Sequence, residues 1–115
     1  MKTSHIKNSE YIRNQVGSWT GVSAHPHRFG GTEYRLGRRE IGHVHGERLV
    51  DIPFPKRVRD ELVANGEAQA HHVLPESGWV SVYLLGENDV TRATALLRRS
   101  FESALAQAER RRERA

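Results

Sequence analysis

Two pairs of histidines, each with one residue between its members, lie close together in the first half of the sequence. His25-Pro26-His27 and His43-Val44-His45 hold four of the seven histidines, and the segment 25–55 around them holds five of the ten glycines. Side chains two residues apart on a strand project from the same face. Two imidazoles in that arrangement can share one metal ion, so we predict His43 and His45 as possible metal ligands.

The rest of the ligand set would come from imidazole and carboxylate, because the chain has no cysteine. Such ligands suit zinc, nickel, manganese or non-haem iron. The same absence excludes a disulfide scaffold, a thiolate nucleophile and an iron–sulfur site. The alternative is that the histidines are half-buried rings with structural hydrogen bonds. The candidates for a third ligand are His25, His27, His71, His72, Glu47 and Asp51.

A metal-free site is a second interpretation, because histidine titrates near neutral pH and can act as a general acid or base. His45, oriented by Asp51 or Glu47, would be the catalytic pair, and Arg28 or Arg39 would hold an anion. Whether the protein is an enzyme stays open. The residues predicted to line a small-ligand site are His25, His27, Arg28, Arg39, His43, His45, His71, His72 and Trp79.

A third interpretation is a module that binds nucleic acid or protein. Eight basic residues fall within residues 28–59 and are interleaved with Phe29, Tyr34 and Phe54. Arginine and aromatic side chains together can bind phosphates and unstacked bases. Acidic residues are also scattered through this segment, which favours an ordinary solvated surface.

The length and charge of the chain limit these possibilities. A chain of 115 residues forms one domain. The net charge is +4 with a pI near 10, but four arginines and two glutamates lie in the last seven residues. No window is apolar enough to span a membrane, so we expect a cytoplasmic protein. We divide the chain into a lead-in (1–24), an α+β domain (25–108) and a charged tail (109–115).

Hydrophobic periodicity predicts an α+β fold, in which an antiparallel sheet of four to six strands carries two or three helices mainly on one face. Pro26 is expected to end or bend the first strand. In the strand 39–45, alternation places Ile41, His43 and His45 on one face and Glu40, Gly42 and Val44 on the other. The predicted helices cover 5–16, 55–65 and 89–110, and the predicted strands cover 19–24, 32–36, 39–45, 49–52, 71–74 (a short edge strand) and 79–85.

Seven ordered motifs extend from His25 to Phe101. They are His25-Pro26-His27, Gly30-Gly31-x-Glu33-Tyr34, Leu36-Gly37-x-Arg39-Glu40-Ile41-Gly42-His43-x-His45-Gly46, Asp51-x-Pro53-Phe54-Pro55, Arg59-Asp60-x-Leu62, His71-His72-Val73-Leu74-Pro75-x-Ser77-Gly78-Trp79-Val80 and Leu97-Arg98-x-Ser100-Phe101. In these motifs the sequence resembles the small bacterial "luciferase domain" family. The resemblance implies the fold and leaves the reaction open, since no flavin or nucleotide motif is present. The C-terminal part, from Gly78-Trp79-Val80 to Arg99-Ser100-Phe101, also resembles MmcQ/YjbR-like domains over a shorter stretch.

Overall fold

The computed structural model describes residues 6–114 and shows an α+β fold with one six-stranded antiparallel sheet. The strand order is β1-β2-β3-β4-β6-β5. A single 3₁₀ turn, Arg28–Gly30, connects β1 to β2. The elements are α1 (Asn8–Val16), β1 (Val22–His27), β2 (Gly31–Leu36), β3 (Arg39–His45), β4 (Leu49–Pro53), α2 (Lys56–Ala64), β5 (Gln69–Ala70), β6 (Trp79–Tyr83) and α3 (Glu87–Arg114).

Helices α1 and α3 cover one face of the sheet. In α3, apolar residues recur every three or four positions and form the stripe that faces the sheet. The two layers approach so closely at Gly42 that a Cβ there would overlap the Leu97 side chain. The sheet residues buried in this core include Val44, Val50, Ile52, Val80 and Val82.

The opposite face of the sheet carries a row of polar residues. Residues that lie directly opposite one another on neighbouring strands project from the same face. The row therefore crosses all six strands and comprises His25, Glu33, His43, Asp51, Ser81 and Gln69. This division between an apolar and a polar face leaves the histidine-bearing side of the sheet free of α1 and α3.

A β-bulge interrupts the side-chain alternation that was predicted for β3. Tyr34 pairs with Gly42 and Arg35 pairs with Glu40, so Ile41 is an extra residue between the two pairs. Ile41 was predicted to share a face with His43, and this was wrong, because Ile41 is buried in the hydrophobic core. Glu40 was predicted to lie on the face opposite His43, and this was wrong: its carboxylate reaches the His43 ring.

Three further predictions about the elements were wrong. Strand β1 continues through Pro26 to His27, which is possible because β1 lies at the sheet edge. Residues 71–74 form a loop, and the edge strand is 69–70 instead, because backbone N–H groups in the loop donate to the His71 ring. Helix α3 extends to Arg114, well beyond residue 110.

No helix in residues 6–114 combines the length and apolar character needed to cross a membrane.

Gly78 ends the loop that carries His71 and His72, and it passes against the backbone at Phe54. The Phe54 N–H donates to the Gly78 carbonyl at 3.1 Å, and a Cβ at Gly78 would overlap the Phe54 carbonyl oxygen. Backbone atoms cannot move aside as a side chain can. Gly78→Ala should therefore lower the free energy of unfolding by about 2 kcal/mol or more, measured by urea denaturation.

Gly86→Ala is the matched control, because nothing lies within 4 Å of a Cβ at that position. Equal stability of the two variants would contradict the tight approach at Gly78.

Candidate metal centre

The buried carboxylate of Asp51 is the centre of the histidine cluster. Asp51 lies in the middle of β4, between β3 and β6, and none of its surface is exposed. Its Oδ1 accepts a hydrogen bond of 2.7 Å from Ser81 Oγ. Its Oδ2 lies within 3.4 Å of four imidazole Nε2 atoms, which belong to His45 (3.1 Å), His43 (3.2 Å), His72 (3.3 Å) and His71 (3.4 Å).

Hydrogen bonding does not fully account for four nitrogens around one oxygen. A carboxylate oxygen offers about two lone-pair sites, and charge-assisted N–H···O bonds are usually about 2.7–2.9 Å long. The separations at Asp51 Oδ2 are longer. They match the distance of about 3.4 Å between two ligands of a tetrahedral ion with bonds of about 2.1 Å. The separations between Asp51 Oδ2 and the ring nitrogens are therefore of the size found between two ligands of one metal ion.

His27 joins the cluster from the sheet edge. Its ring stacks on that of His43 with 4.0 Å between centroids, and it lies 5.6 Å from the centroid of His45. One ring nitrogen each of His27, His43 and His45 can be chosen so that all three lie within 4.8 Å of one another. Asp51 forms a second such group with His71 and His72.

Two carboxylates orient rings of the first group. His27 Nδ1 lies 2.9 Å from Glu33 Oε1, and His43 Nδ1 lies 2.6 Å from Glu40 Oε2. A carboxylate at Nδ1 keeps the proton on that nitrogen and leaves Nε2 available as a metal ligand. This is the arrangement found around many metal-binding histidines.

His71 has the opposite tautomer. Its Nδ1 accepts hydrogen bonds from the N–H groups of Val73, at 3.1 Å, and Leu74, at 3.0 Å. The proton of the neutral ring is therefore on Nε2, which donates towards Asp51. His71 thus fixes the loop and the carboxylate and is a poor metal ligand. His72 has a side chain that is 39% exposed and lies at the rim of the cluster.

The charges of the cluster shift the pKa values of its members. Burial alone would lower the pKa of His43, but hydrogen bonds with Asp51 and Glu40 outweigh it and raise the pKa to about 9. Burial would raise the pKa of Asp51, yet hydrogen bonds with His43 and Ser81 hold it well below the usual range. Burial and nearby imidazolium charge lower the pKa of His45, and burial also lowers that of His71.

The structure separates the other predicted site residues from the cluster or places them at its edge. His25 contacts Ser23 Oγ at 2.8 Å, and Arg28 is exposed on the turn after β1. Arg39 donates to Gln107 of α3. Trp79 is a wall of the cluster, with its ring 5.1 Å from that of His43. Glu47 accepts hydrogen bonds from the start of α1 and lies apart from the histidines.

Three residues that complete the cluster were missed from the sequence, namely Glu33, Glu40 and Ser81. Glu33 lies on the same strand face as Arg35, and its pairing with His27 depends on the β1–β2 turn. Glu40 reaches His43 only because of the bulge. Ser81 lies between the buried residues Val80 and Val82 on one strand. This alternation could have predicted that its side chain projects from the face opposite the apolar core.

The cluster lies on the face of the sheet that α1 and α3 leave free, next to the loop that carries His71 and His72. A separate cleft of about 560 Å³ is formed by α1 and the segment that leads into α3, and its lining includes Tyr11, Leu84 and Val90 but none of the cluster histidines.

Residues 38–100, more than half of the chain, match the family model described as "Luciferase domain". The chain therefore belongs to the luciferase-domain family, as its resemblance predicted. The matched segment contains Asp51 and four of the five cluster histidines but not His27. No curated protein and no solved structure matched the chain. The shorter likeness to MmcQ/YjbR-like domains is not supported by these comparisons.

The raised pKa of His43 predicts how stability depends on pH in protein freed of metal by a chelator. Between pH 6.5 and about 9 the folded state keeps a proton that the unfolded chain has lost. The contribution of His43 to the free energy of unfolding should be fully present below pH 6.5 and should be lost, by about 3 kcal/mol, as pH rises through 9, measured by urea denaturation. The lowered pKa values of His45 and His71 act below this window.

Glu40→Gln removes one hydrogen-bonded charge from His43, so this variant should lose less stability over the same pH range. A flat profile for the unmodified chain would show that His43 is neutral in the folded state.

Proposed function

We propose that the protein binds one divalent transition-metal ion through His27, His43, His45 and Asp51. The observation that carries the proposal is the convergence of the ligands on β3 and β4: His43 and His45 Nε2 lie 3.2 and 3.1 Å from Asp51 Oδ2, and one ring nitrogen each of His27, His43 and His45 lies within 4.8 Å of the others. Burying a carboxylate is costly unless it is paired, and a cation shared with the surrounding rings would pair it.

The supporting contacts fit this role. Glu33 and Glu40 hold Nδ1 of two of the ligands, and Ser81 occupies the other oxygen of Asp51. Such contacts fix the tautomer and the orientation of metal ligands. Three imidazoles and one carboxylate suit zinc, manganese, nickel or ferrous iron.

The ligands come from β1, β3 and β4 and all approach from the sheet. An ion bound there would have the sheet beneath it and the loop that carries His71 and His72 beside it. Its remaining coordination positions would be reached at the rim, where the His72 side chain is 39% exposed. A metal with open positions polarises a bound water or the oxygen of a ligand and stabilises negative charge on it. His72, on the loop, would face those positions and serve as an additional ligand or as a proton carrier.

Metal content tests the proposal. Protein purified without a histidine tag, stripped with a chelator and reloaded with zinc, manganese, nickel or ferrous iron should retain one equivalent of at least one of them by elemental analysis. His45→Ala should reduce the affinity for that metal at least about tenfold, because it deletes a ligand. Circular dichroism would establish that the variant is folded.

His25→Ala is the matched control, because His25 precedes His27 by two residues on the same strand and contacts Ser23 outside the cluster. It should leave metal binding unchanged. A folded chain that retains none of the four metals, or equal losses in the two variants, would reject the proposed centre.

The orienting carboxylates provide a second test. Glu40→Gln keeps the shape of the side chain but removes the charge that holds His43 Nδ1. The affinity for the metal that binds should fall about 10–100-fold while the stoichiometry stays at one. Glu102→Gln, on the exposed side of α3, where Glu102 pairs with Arg98, should have no effect. Unchanged affinity in Glu40→Gln would remove Glu40 from the centre.

A further inference from the structure

Large apolar side chains that are exposed in residues 6–114 concentrate beside the cluster histidines. Five such residues are exposed, and three of them lie within two positions of a cluster histidine. Phe29 follows His27, and Val73 and Leu74 follow His72. The other two are Ile6 and Leu85. Exposed apolar residues that gather at one site indicate binding of an apolar molecule.

Phe29 shows this most clearly. It is 96% exposed, so its ring contributes almost nothing to the packing of the folded chain. Its backbone has φ 58° and ψ 35°, the left-handed region that is unfavourable for a bulky side chain. Asparagine or glycine would adopt this conformation at lower cost. An aromatic ring kept there without internal contacts points to an external one.

Val73 and Leu74 are held in place by the cluster itself. They are 67% and 50% exposed, and their N–H groups both donate to His71 Nδ1. His71 therefore fixes the backbone of two exposed apolar residues next to the candidate metal ligands.

Both apolar segments are joined to the same cluster. Phe29 is two residues after His27, whose ring stacks on that of His43 with 4.0 Å between centroids. Val73 and Leu74 donate to His71, whose Nε2 lies 3.4 Å from Asp51 Oδ2. Trp79 adds an apolar surface beside His43. The turn at Phe29 and the loop at Val73-Leu74 are therefore both attached to the histidine cluster.

We propose that the cluster binds a small amphiphile whose anionic oxygen head enters the centre and whose apolar body lies against Phe29, Val73, Leu74 and Trp79. The assignment of the head rests on the proposed function, because the open positions of the metal would receive the oxygen. The assignment of the body rests on the exposed apolar residues alone.

Isothermal titration calorimetry of the metal-loaded protein tests both the head and the body of the proposed ligand. The protein is loaded with zinc, or with whichever metal it retains in the elemental analysis. Octanoate and octyl phosphate are the complete probes, acetate represents the anionic head alone and octanol represents the apolar body alone. At least one complete probe should bind about tenfold or more tightly than acetate and octanol, because burial of each methylene adds affinity. Equal binding of all four probes, or no binding, would overturn the proposal while leaving a metal stoichiometry of one intact.

Phe29→Asn separates a ligand contact from a structural role. The variant should be as stable as the unmodified chain or more stable, since asparagine tolerates the left-handed conformation. It should keep its metal and bind the complete probe about fivefold or more weakly. Leu85→Ser, which removes an apolar side chain that is 89% exposed and outside the cluster, should leave probe binding unchanged. Equal losses in both variants would overturn the proposal.

Titration of the metal-free protein distinguishes the two proposals. Octanoate binding that depends on Phe29 in protein that takes up no metal would support the apolar site and reject the metal centre. Binding to phosphatidylglycerol vesicles that Phe29→Asn abolishes, with no binding of either complete probe, would instead identify the apolar residues as a lipid-docking surface and overturn the amphiphile site.

Discussion

The carboxylate of Asp51 is the group around which the polar side of this protein is arranged. A buried, unpaired charge would cost several kcal/mol, so the surrounding strands have to supply partners for it. Ser81, on β6, donates a hydrogen bond to Asp51 Oδ1, and the two β3 histidines, His43 and His45, approach Asp51 Oδ2. The loop after β5 contributes His71, whose tautomer is fixed by its own backbone contacts. The position of one carboxylate therefore couples three strands and a loop that are distant in sequence.

The strict division of the sheet into two faces makes this arrangement possible. Helix α3 packs so closely on one face that Gly42 has no room for a side chain. Because the apolar core lies on that side, charged residues on the other face of the sheet do not disrupt the core. The bulge at Ile41 then breaks the alternation once and gives β3 a carboxylate and an imidazole, Glu40 and His43, on the same side.

Much of the fold and part of the candidate site follow from local sequence patterns. The bounds of β3 and the shared face of His43 and His45 come directly from strand alternation, and the α+β class follows from periodicity. Other features depend on contacts that no local pattern encodes. The stacking of His27 on His43 requires the pairing of β1 with β2, and the contact of Glu40 with His43 requires a register shift. The tautomer of His71 depends on hydrogen bonds within a loop that had been predicted as a strand.

Proton binding at His43 and metal binding at the cluster arise from the same local field. Arg35 offsets Glu33, whereas Asp51 and Glu40 face His43 from both sides of its ring. Without an ion, the proton on His43 compensates these charges, and its pKa rises to about 9. A divalent ion would compensate the same carboxylates more completely, and it would have to displace the proton from Nε2. The carboxylates that raise the pKa of His43 would therefore also favour a divalent ion at the same ring, in competition with the proton that they stabilise.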